Sequence, residues 1–457
     1  MANQKLFAGH AVRRIRRASG LTQVAMAEAL DVSASYLNLI ERNQRPLTAP
    51  IMLRLAERFD FDARSLTGAS PGGGAESIKR RLADPLFADL SLDRMQIEDW
   101  ISAAPDAAEA FARAFDRLAS GGDAGPVGND TITPVREAIG KWRNHFADLD
   151  AQAEELADEL RLQSADLYGA ITDRLRTRHR LSIRILPVDV MPDTLRRLDL
   201  HARQLQLSEL LDPSSRTFAA AYQLAELEAR EQIDALVKGA DFSERASEKL
   251  YHRHLSGYFA AAVMMPYARF LRACEATGYD VNLLSARFGA SFEQVAHRLT
   301  TLQRVGARGL PFFMIRIDRA GQSSKRYAGA SGAALAETDG RCPIWILHHA
   351  FDAGGRIVTQ LAELEDGSRW FTMAKNVRPQ NGEAEFAIAL GIDASMAAPL
   401  AAARGVDLKS GPAAQIGLGC ANCTRPQCAQ RSAPPLGRVL TFNEYQRGLT
   451  AFEFVGD

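Results

Sequence analysis

Residues 21–46 read LTQVAMAEALDVSASYLNLIERNQRP, and this pattern predicts two short helices joined by a tight turn. Thr22 is a favourable N-cap for the first helix and Ser33 for the second, because a hydroxyl can accept a hydrogen bond from a free backbone N–H group. In the second helix, Leu37 and Ile40 share one face. Small and polar residues occupy the other face: Ala34, Ser35, Asn38 and Arg42. A helix that lies in the major groove of DNA requires this division.

The turn of this motif is predicted at Asp31. Aspartate tolerates the left-handed backbone conformation better than most residues other than glycine, so we expect the turn to form at some strain. In the first helix, the apolar face is predicted to consist of Val24, Ala25 and Leu30. An ordinary fragment of a three-helix core is the alternative interpretation of the stretch.

The first 66 residues are basic, although the 457-residue chain has no net charge. They contain ten Lys and Arg residues against six Asp and Glu residues, a net charge of +4. A small basic module is consistent with DNA binding. We predict that Ser35 and Asn38 contact bases, while phosphates are held by Arg13, Arg16, Arg17, Thr22 and Gln23. The predicted DNA-binding set is completed by Ser33, Tyr36, Arg42 and Arg45.

The length of the chain predicts two to four domains. We expect a multidomain protein that is mainly α with α+β parts: a helix-turn-helix bundle over 1–66, a linker and helical connector over 67–130, an α+β middle domain over 131–306 and a sheet-rich α+β domain over 307–457. No stretch approaches the apolar length of a membrane span, and the N-terminal residues MANQKLFAGH lack an apolar signal core. We therefore expect a cytoplasmic protein without a membrane partner.

Three of the five cysteines lie close together in the run GCANCTRPQCAQR. The spacing Cys420-x2-Cys423-x4-Cys428 in a reducing compartment favours a metal site over a disulfide. Three thiolates can hold zinc or an iron–sulfur cluster. The fourth ligand is left open between Cys342, His348, His349, a non-protein ligand and none. Reactive or incidental cysteines remain the alternative.

The run RTFAAAYQLAELEARE predicts a helix and resembles the ImmA/IrrE-type domain, whose relatives often carry H-E-x-x-H at this point. That motif places two histidines one turn apart on zinc, with the glutamate as general base. The matching positions here are Tyr222, Gln223 and Glu226. Both histidines are missing and glutamine cannot act as a base, so no catalytic residue is predicted. A metalloprotease is the least favoured of the functions considered.

The run from Thr22 to Pro46 resembles the Cro/XRE-type helix-turn-helix repressors, with Asp31 where that family often has glycine. Together with PFFMIRIDRAG, CPIWILHHAF and the three-cysteine motif, nearly the whole chain resembles the short-chain fatty acyl-CoA-responsive transcription regulators, the PrpR/RamB/MccR-like group. The resemblance implies dimeric binding to double-stranded promoter DNA of propionate, acetate or glyoxylate-pathway genes, so we expect a homodimer or a higher homo-oligomer. It also implies a short-chain acyl-CoA effector and, in some members, a 4Fe–4S cluster on the three cysteines.

An acyl-CoA needs a slim apolar slot and cations for its phosphates. We predict the slot beside Tyr258, Ala262, Met265 and Tyr267, where small residues and methionine follow one another. The predicted phosphate ligands are Arg196, Arg197, Arg203 and Arg269. Core alanines with surface arginines are the alternative, in which case the site is expected near Arg316, Lys325 and Arg326.

The favoured hypothesis is therefore an acyl-CoA-responsive transcription regulator. The alternative is a regulator in which an iron–sulfur cluster, not acyl-CoA, is the primary input. For the cluster itself, the expectation is that Cys420, Cys423 and Cys428 ligate it, that one iron has no nearby cysteine, and that zinc is the rival metal.

Overall fold

A computed structural model describes most of the chain. The described residues are 12–13, 15–16, 19, 21–41, 45–59, 73–84, 87, 90, 92–119, 131–163, 166–337, 342–378 and 384–454. The chain divides into two compact units, Met1–Asp123 and Ala124–Asp457. No helix in the described ranges is both long and apolar enough to cross a membrane.

The secondary-structure elements with defined bounds in the described part of the first unit are helices. Its helices are α1 Gln23–Ala29, α2 Ala34–Glu41, α3 Ala49–Phe59, α4 Gly74–Leu82, α5 Arg94–Ala103 and α6 Pro105–Ala119. Helices α1 to α3 enclose a small apolar core that includes Met26, Leu37 and Leu55. Helices α4 to α6 enclose a second core around Ile78 and Ile97. The apolar residues within 92–120 indicate a single helix, but the chain forms two there, because Pro105 opens a new helix at a position where its missing N–H costs nothing.

The second unit begins with helices, then a small sheet, then more helices. The helices before the sheet are α7 Ile132–Lys141, α8 Ala147–Gln163 and α9 Leu167–His179. The strands are β1 Ser182–Leu186, β2 Arg196–Asp199 and β3 Gln204–Ser208, in the order β1-β3-β2 with β1 parallel and β2 antiparallel to β3. The helices after it are α10 Pro213–Glu228, α11 Arg230–Gly239, α12 Arg245–Met264, α13 Tyr267–Thr277, α14 Val281–Phe288 and α15 Phe292–Leu299.

A larger sheet follows, with the strand order β5-β4-β8-β7-β6-β9 among the described residues. Its strands are β4 Phe313–Asp318, β5 Ser323–Tyr327, β6 Val358–Glu363, β7 Arg369–Val377, β8 Phe386–Asp393 and β9 Ala414–Gln415. Two short helices, α16 Ala334–Glu337 and α17 Ile346–His349, precede β6, and a short antiparallel pair ends the described chain, β10 Leu440–Thr441 with β11 Glu453–Phe454. The turn signals at Gly321 and at Glu365-Asp366-Gly367 indicate two hairpins, and both are present, as β4–β5 and β6–β7.

The apolar run Pro343–His348 does not form the extended strand that its composition predicts. The backbone N–H of Trp345 donates to the carbonyl of Cys342 at 3.0 Å, which closes a turn before α17. The Trp345 side chain is 1% exposed and belongs to the core beneath the sheet. Burial of the indole therefore outweighs the β propensity of this segment.

The helical part and the large sheet of the second unit share one core. Met265 and Leu299 from the helices pack in the same cluster as Phe312, Met373 and Leu390 from the segment leading to β4 and from the sheet. Where the sequence predicts a boundary near residue 306, the packing is therefore continuous.

Candidate functional sites

The helix-turn-helix module has the caps and the turn that its sequence predicts. Ser33 Oγ accepts a hydrogen bond from the N–H of Tyr36 at 3.1 Å, and Thr22 Oγ1 accepts one from the N–H of Ala25 at 3.2 Å. Asp31 adopts φ 53°, in the left-handed region. Its carboxylate forms an ion pair with Arg54 at 3.1 Å, which supports this strained residue.

A buried carboxylate fixes α1 and α2 together. Glu41 is 3% exposed and accepts hydrogen bonds from Arg16 Nε at 2.6 Å and from Gln23 Nε2 at 2.8 Å. Burial raises the pKa of Glu41, but the hydrogen bonds from Arg16 and Gln23 and the charge of Arg16 outweigh it, so the pKa lies below its usual value. Arg16 is thus engaged inside the module. We revise its predicted role from holding phosphate to positioning the two helices.

The other predicted DNA-contacting residues fall into three groups. Ser35, Thr22, Ser33, Arg13 and Arg45 are exposed, while Tyr36 and Asn38 are half-buried. Gln23 Nε2 lies 3.4 Å from Asn38 Oδ1, so the network at Glu41 also reaches the predicted base-contacting residue. Arg17 and Arg42 lie outside the described residues. Apart from Arg16, these assignments stay predictions.

The helix that matches the metalloprotease motif holds a guanidinium among its motif positions. Arg196 from β2 lies 4.3 Å from the ring centroid of Tyr222 and donates to Gln223 Oε1 at 3.1 Å. Glu226 accepts a hydrogen bond from Ser256 Oγ at 2.7 Å. Burial is the main cause that lowers the pKa of Arg196, and it raises the pKa of Tyr222. The three positions are thus occupied by stacking and hydrogen bonds that stabilise the domain.

The residues predicted to line the effector slot are core residues. Tyr258, Ala262, Met265 and Tyr267 are all 0% exposed. The Tyr258 hydroxyl donates to Asp150 Oδ2 at 2.8 Å, and the Tyr267 hydroxyl donates to the carbonyl of Ala307 at 2.8 Å. Because α12 is packed on several sides by other helices, its small residues fill helix contacts. The alternative interpretation of the sequence, in which the alanines belong to the core, fits these residues better.

The four predicted phosphate ligands lie in two different places. Arg197 donates to Gln206 Oε1 at 2.7 Å on the small sheet, and Arg203 takes φ 49° in the turn between β2 and β3. Arg196 lies on the same sheet against α10, as described above. Arg269 on α13 instead forms an ion pair with Asp158 of α8 at 2.8 Å. Each has a structural partner or position, and the structure does not single out one phosphate site for them.

A cluster of rings lies where the helices meet the large sheet, and no local pattern in the sequence predicts it. His254 of α12, His297 of α15 and Tyr327 of β5 form a triangle with ring centroids 4.5 to 5.8 Å apart. Burial, together with the nearby charge of Lys325, lowers the pKa of His254 to about 3 and lowers that of His297 well below its usual value. Both rings are therefore neutral at physiological pH.

Buried polar atoms around these rings have no hydrogen-bond partner among the described residues: Asn144 Oδ1, Tyr251 Oη and His254 Nε2. Beside them, the Glu293 carboxylate forms ion pairs with Arg316 Nη1 at 2.9 Å and with Lys325 Nζ at 2.6 Å. One carboxylate thus serves two cations, which leaves an excess of positive charge. Buried polar groups without partners call for water or a ligand.

The three clustered cysteines line one cavity, and Cys342 lines it too. All four are free thiols. Cys420 lies in a short 3-10 turn, and its sulfur accepts hydrogen bonds from Ser432 N–H and Ser432 Oγ–H at 3.4 Å. Burial raises the pKa of the Cys420 thiol, but these hydrogen bonds and the charge of Arg431 outweigh it and lower the pKa. Burial raises the pKa of Cys423.

The thiols are the type of ligand that a soft metal centre takes, but their positions in this structure do not form a metal site. Sulfur ligands are what iron–sulfur clusters and thiolate zinc sites take, and the lowered pKa of Cys420 favours its ligating form. In this conformation, however, no three His, Cys, Asp or Glu side chains of the described residues are gathered closely enough to hold a metal ion. Loading would require the residues Cys420, Cys423 and Cys428 to draw together.

Comparisons with known proteins agree with this arrangement of modules. A helix-turn-helix model matches residues 12–66, the IrrE N-terminal-like domain matches 176–300, and the C-terminal domain of the short-chain fatty acyl coenzyme A regulators matches 301–452. The transcriptional regulator RamB of Mycobacterium tuberculosis is 33% identical over 98% of both chains. The propionyl-CoA carboxylase regulator of Cereibacter sphaeroides is 35% identical over 99% of both chains.

PrpR of Mycobacterium tuberculosis is 34% identical over 96% of this chain and 94% of its own. A solved structure of a Mycobacterium tuberculosis transcriptional regulator, 33% identical, covers 71% of this chain and 100% of that one with a TM-score of 0.67. Modules and fold therefore define a helix-turn-helix transcriptional regulator. The chain belongs to the family of RamB- and PrpR-like regulators that carry a short-chain fatty acyl-coenzyme A regulator domain.

Proposed function

We propose that this protein is a DNA-binding transcription regulator whose operator affinity depends on a short-chain acyl-CoA of the propionyl-CoA or acetyl-CoA class. Such a regulator would control genes of short-chain fatty acid or glyoxylate-type carbon metabolism. The observation that carries the proposal is the match of residues 301–452 to the acyl-CoA regulator domain, on a chain that begins with a helix-turn-helix module.

DNA binding by the purified full chain tests this proposal. Binding to the region upstream of its own gene would be measured with acetyl-CoA, propionyl-CoA and free CoA, at one fixed salt concentration because phosphate contacts make affinity salt-dependent. We expect specific binding that changes in the presence of one acyl-CoA and much less with free CoA. DNA binding that does not change with acetyl-CoA, propionyl-CoA or free CoA would overturn the proposed dependence on an acyl-CoA.

We place the effector at the ring cluster of His254, His297 and Tyr327. Neutral rings and unpartnered buried polar atoms offer stacking and hydrogen bonds to a ligand, and the cations beside Glu293 suit its phosphates. Arg316 and Lys325 belong to the alternative site that the sequence suggests. An effector bound there would connect the helices of the second unit to its large sheet, because α12 and α15 contribute two of the rings and β5 contributes the third.

Calorimetry with propionyl-CoA distinguishes this location from the one first predicted. Lys325→Ala and Tyr327→Ala are expected to weaken binding, by roughly tenfold or more for the charge-assisted contact of Lys325. Arg197→Ala on the small sheet is the matched control and should bind as the unaltered protein does. Loss of binding in Arg197→Ala alone would return the site to the small sheet.

A second candidate function is redox sensing through an iron–sulfur cluster at the cysteines. It is favoured by one observation, the four free thiols around a common cavity. Protein purified without oxygen should be brown, contain iron and sulfide in similar amounts and change its visible absorption with dithionite. Colourless protein with zinc would exclude the cluster, because an iron–sulfur cluster absorbs visible light and Zn²⁺, a d10 ion, does not.

A further inference from the structure

Strand β2 lies at the edge of the small sheet, and its outer side is uncovered. Among the described residues its hydrogen-bonded neighbour is β3 alone, because the strand order is β1-β3-β2. Residues 192–198 and 200 are all exposed. They include three leucines, Leu195 at 50%, Leu198 at 38% and Leu200 at 76% exposure. An uncovered edge with apolar side chains can pair with a strand of another chain.

The pairing with β3 determines which backbone groups of β2 face outward. The N–H of Ser208 donates to the carbonyl of Leu195 at 3.0 Å. In an antiparallel pair, residues that exchange hydrogen bonds with the partner alternate with residues that do not. Leu195 and Arg197 therefore direct their N–H and C=O groups to β3. Arg196 and Leu198 direct theirs to the open side of the sheet.

The sequence of β2 is complementary to itself in one antiparallel register. A two-fold axis at Leu198 lets the two copies of this residue exchange both backbone hydrogen bonds, since its N–H and C=O face outward. The same register places Arg197 of each copy directly opposite Asp199 of the other, on the same face of the sheet. A two-fold axis at Arg197 would instead place two arginines opposite each other, which is destabilising.

We infer that β2 is a self-association surface and that its partner is β2 of a second copy of this chain, in the register centred on Leu198. The two small sheets then form one continuous sheet, and the leucines of the two edges contact each other. Edge strand β5 of the large sheet lacks this complementarity. It contains Lys325 and Arg326 but no acidic residue, so no register of two copies pairs opposite charges. The inference is independent of the acyl-CoA effector and of the cysteines.

Exchange of the charges tests the register in the full chain without DNA. Sedimentation over a range of concentrations measures self-association of the unaltered protein, of Arg197→Glu, of Asp199→Lys and of an equal mixture of the two variants. Each variant alone should associate roughly tenfold more weakly, because two attractive pairs become two repulsive ones. The mixture should regain the association of the unaltered protein, because each Glu then faces a Lys and each Arg an Asp.

Recovery in the mixture cannot come from variants that fail to fold, so the exchange separates a lost contact from a lost fold. Variants that associate as the unaltered protein does, or a mixture that associates no more tightly than its components, would overturn the register. An unaltered protein that stays monomeric at every concentration would overturn the surface itself.

Cross-linking tests the contact even if another surface also joins the two copies. Opposed residues that exchange both hydrogen bonds have Cα atoms about 5.5 Å apart, within the range of a disulfide. Leu198→Cys should therefore form a disulfide between copies under mild oxidation, identified by mass spectrometry because the chain has five cysteines of its own. Ile185→Cys is the matched control, since Ile185 is 46% exposed on β1 of the same sheet. Equal rates of linkage at the two positions would contradict the inference.

Discussion

Single residues of the helix-turn-helix module divide into those that are predicted to contact DNA and those that hold α1 and α2 together. Ser35 is exposed on α2, whereas Asn38 is half-buried and approached by Gln23 at 3.4 Å. Arg16 and Gln23 meet on the buried carboxylate of Glu41. Arg16, which the sequence predicts to contact phosphate, thereby helps to hold α1 and α2 in their relative orientation.

Replacing Asn38 by alanine is expected to relax sequence preference by roughly 1–3 kcal/mol at one base pair, because a side-chain amide can pair with a base edge in the major groove. Binding curves on the operator and on single-base variants would measure this. Arg45→Ala is the contrast: it should weaken binding to all sequences alike and reduce the salt dependence. Equal weakening of Asn38→Ala on operator and random DNA would remove this residue from base readout.

Gly417 has no room for a side chain. A Cβ placed there would lie 2.7 Å from Cys423 Sγ and 2.8 Å from its Cβ, so Cys423 would have to move. Gly417→Ala should therefore lower the metal content of protein purified without oxygen and cost about 1–3 kcal/mol in stability. Gly239→Ala in α11, where nothing lies within 4 Å, is the matched control and should retain metal. Full metal retention in Gly417→Ala would mean that the Cys423 thiol does not need its present position.

At the scale of elements, α8, α12 and α15 are joined by one buried ion pair. Asp150 is 0% and Arg298 1% exposed, with Arg298 Nη2 2.6 Å from Asp150 Oδ1. Burial raises the pKa of Asp150, but the charge of Arg298 and the hydrogen bonds outweigh it, so the carboxyl is ionised at any physiological pH. The Tyr258 hydroxyl completes the pair with a hydrogen bond to the same carboxylate.

Asp150→Asn should destabilise the protein by about 3–5 kcal/mol, because it leaves the Arg298 charge buried without its partner. Denaturant unfolding followed by circular dichroism measures the change. Arg269→Ala removes an exposed ion pair from the same helix α8, and it should cost no more than about 1 kcal/mol. Equal losses in the two variants would show that Asp150 is not the main polar link between these helices.

His254 of α12 makes the stability of the folded chain depend on pH. The pKa of His254 is about 3 in the folded chain and near 6.5 in the unfolded chain, so the unfolded state binds more protons between these values. The stabilising contribution is complete above about pH 6.5 and is lost as the pH falls. Thermal unfolding at neutral pH and at about pH 5 measures the loss. His254→Gln should flatten this dependence, and an unchanged slope in this variant would contradict the role of His254.

For the whole molecule, local sequence signals predicted what depends on neighbours along the chain. The caps at Thr22 and Ser33, the left-handed Asp31 and the hairpin at residues 364–368 all follow from a few adjacent residues. Leu37 and Ile40 are buried as the spacing predicts. The match of all three modules to known families also confirms the multidomain fold.

Features that depend on distant contacts were not predictable in this way. Val24 is 57% exposed, because α1 turns Met26, Ala27 and Leu30 to the core instead. Tyr258 and Tyr267 fill cores that form only when helices and sheet meet. The ring triangle brings together residues that are far apart in the sequence, and so does the cavity that Cys342 shares with the cysteine run. No local sequence pattern predicts such contacts.

The core shared by the helices and the large sheet has a consequence for how such regulators can diversify. The family models divide the chain between residues 300 and 301, yet Arg298 donates to Thr301 across that point at 3.0 Å and the apolar cluster extends over both sides. Recombination at this boundary would join two half-cores with unmatched shapes, and overpacking or cavities there are costly. We expect hybrids of two relatives to fold only when the exchange lies in the segment 120–130, which leaves the shared core intact.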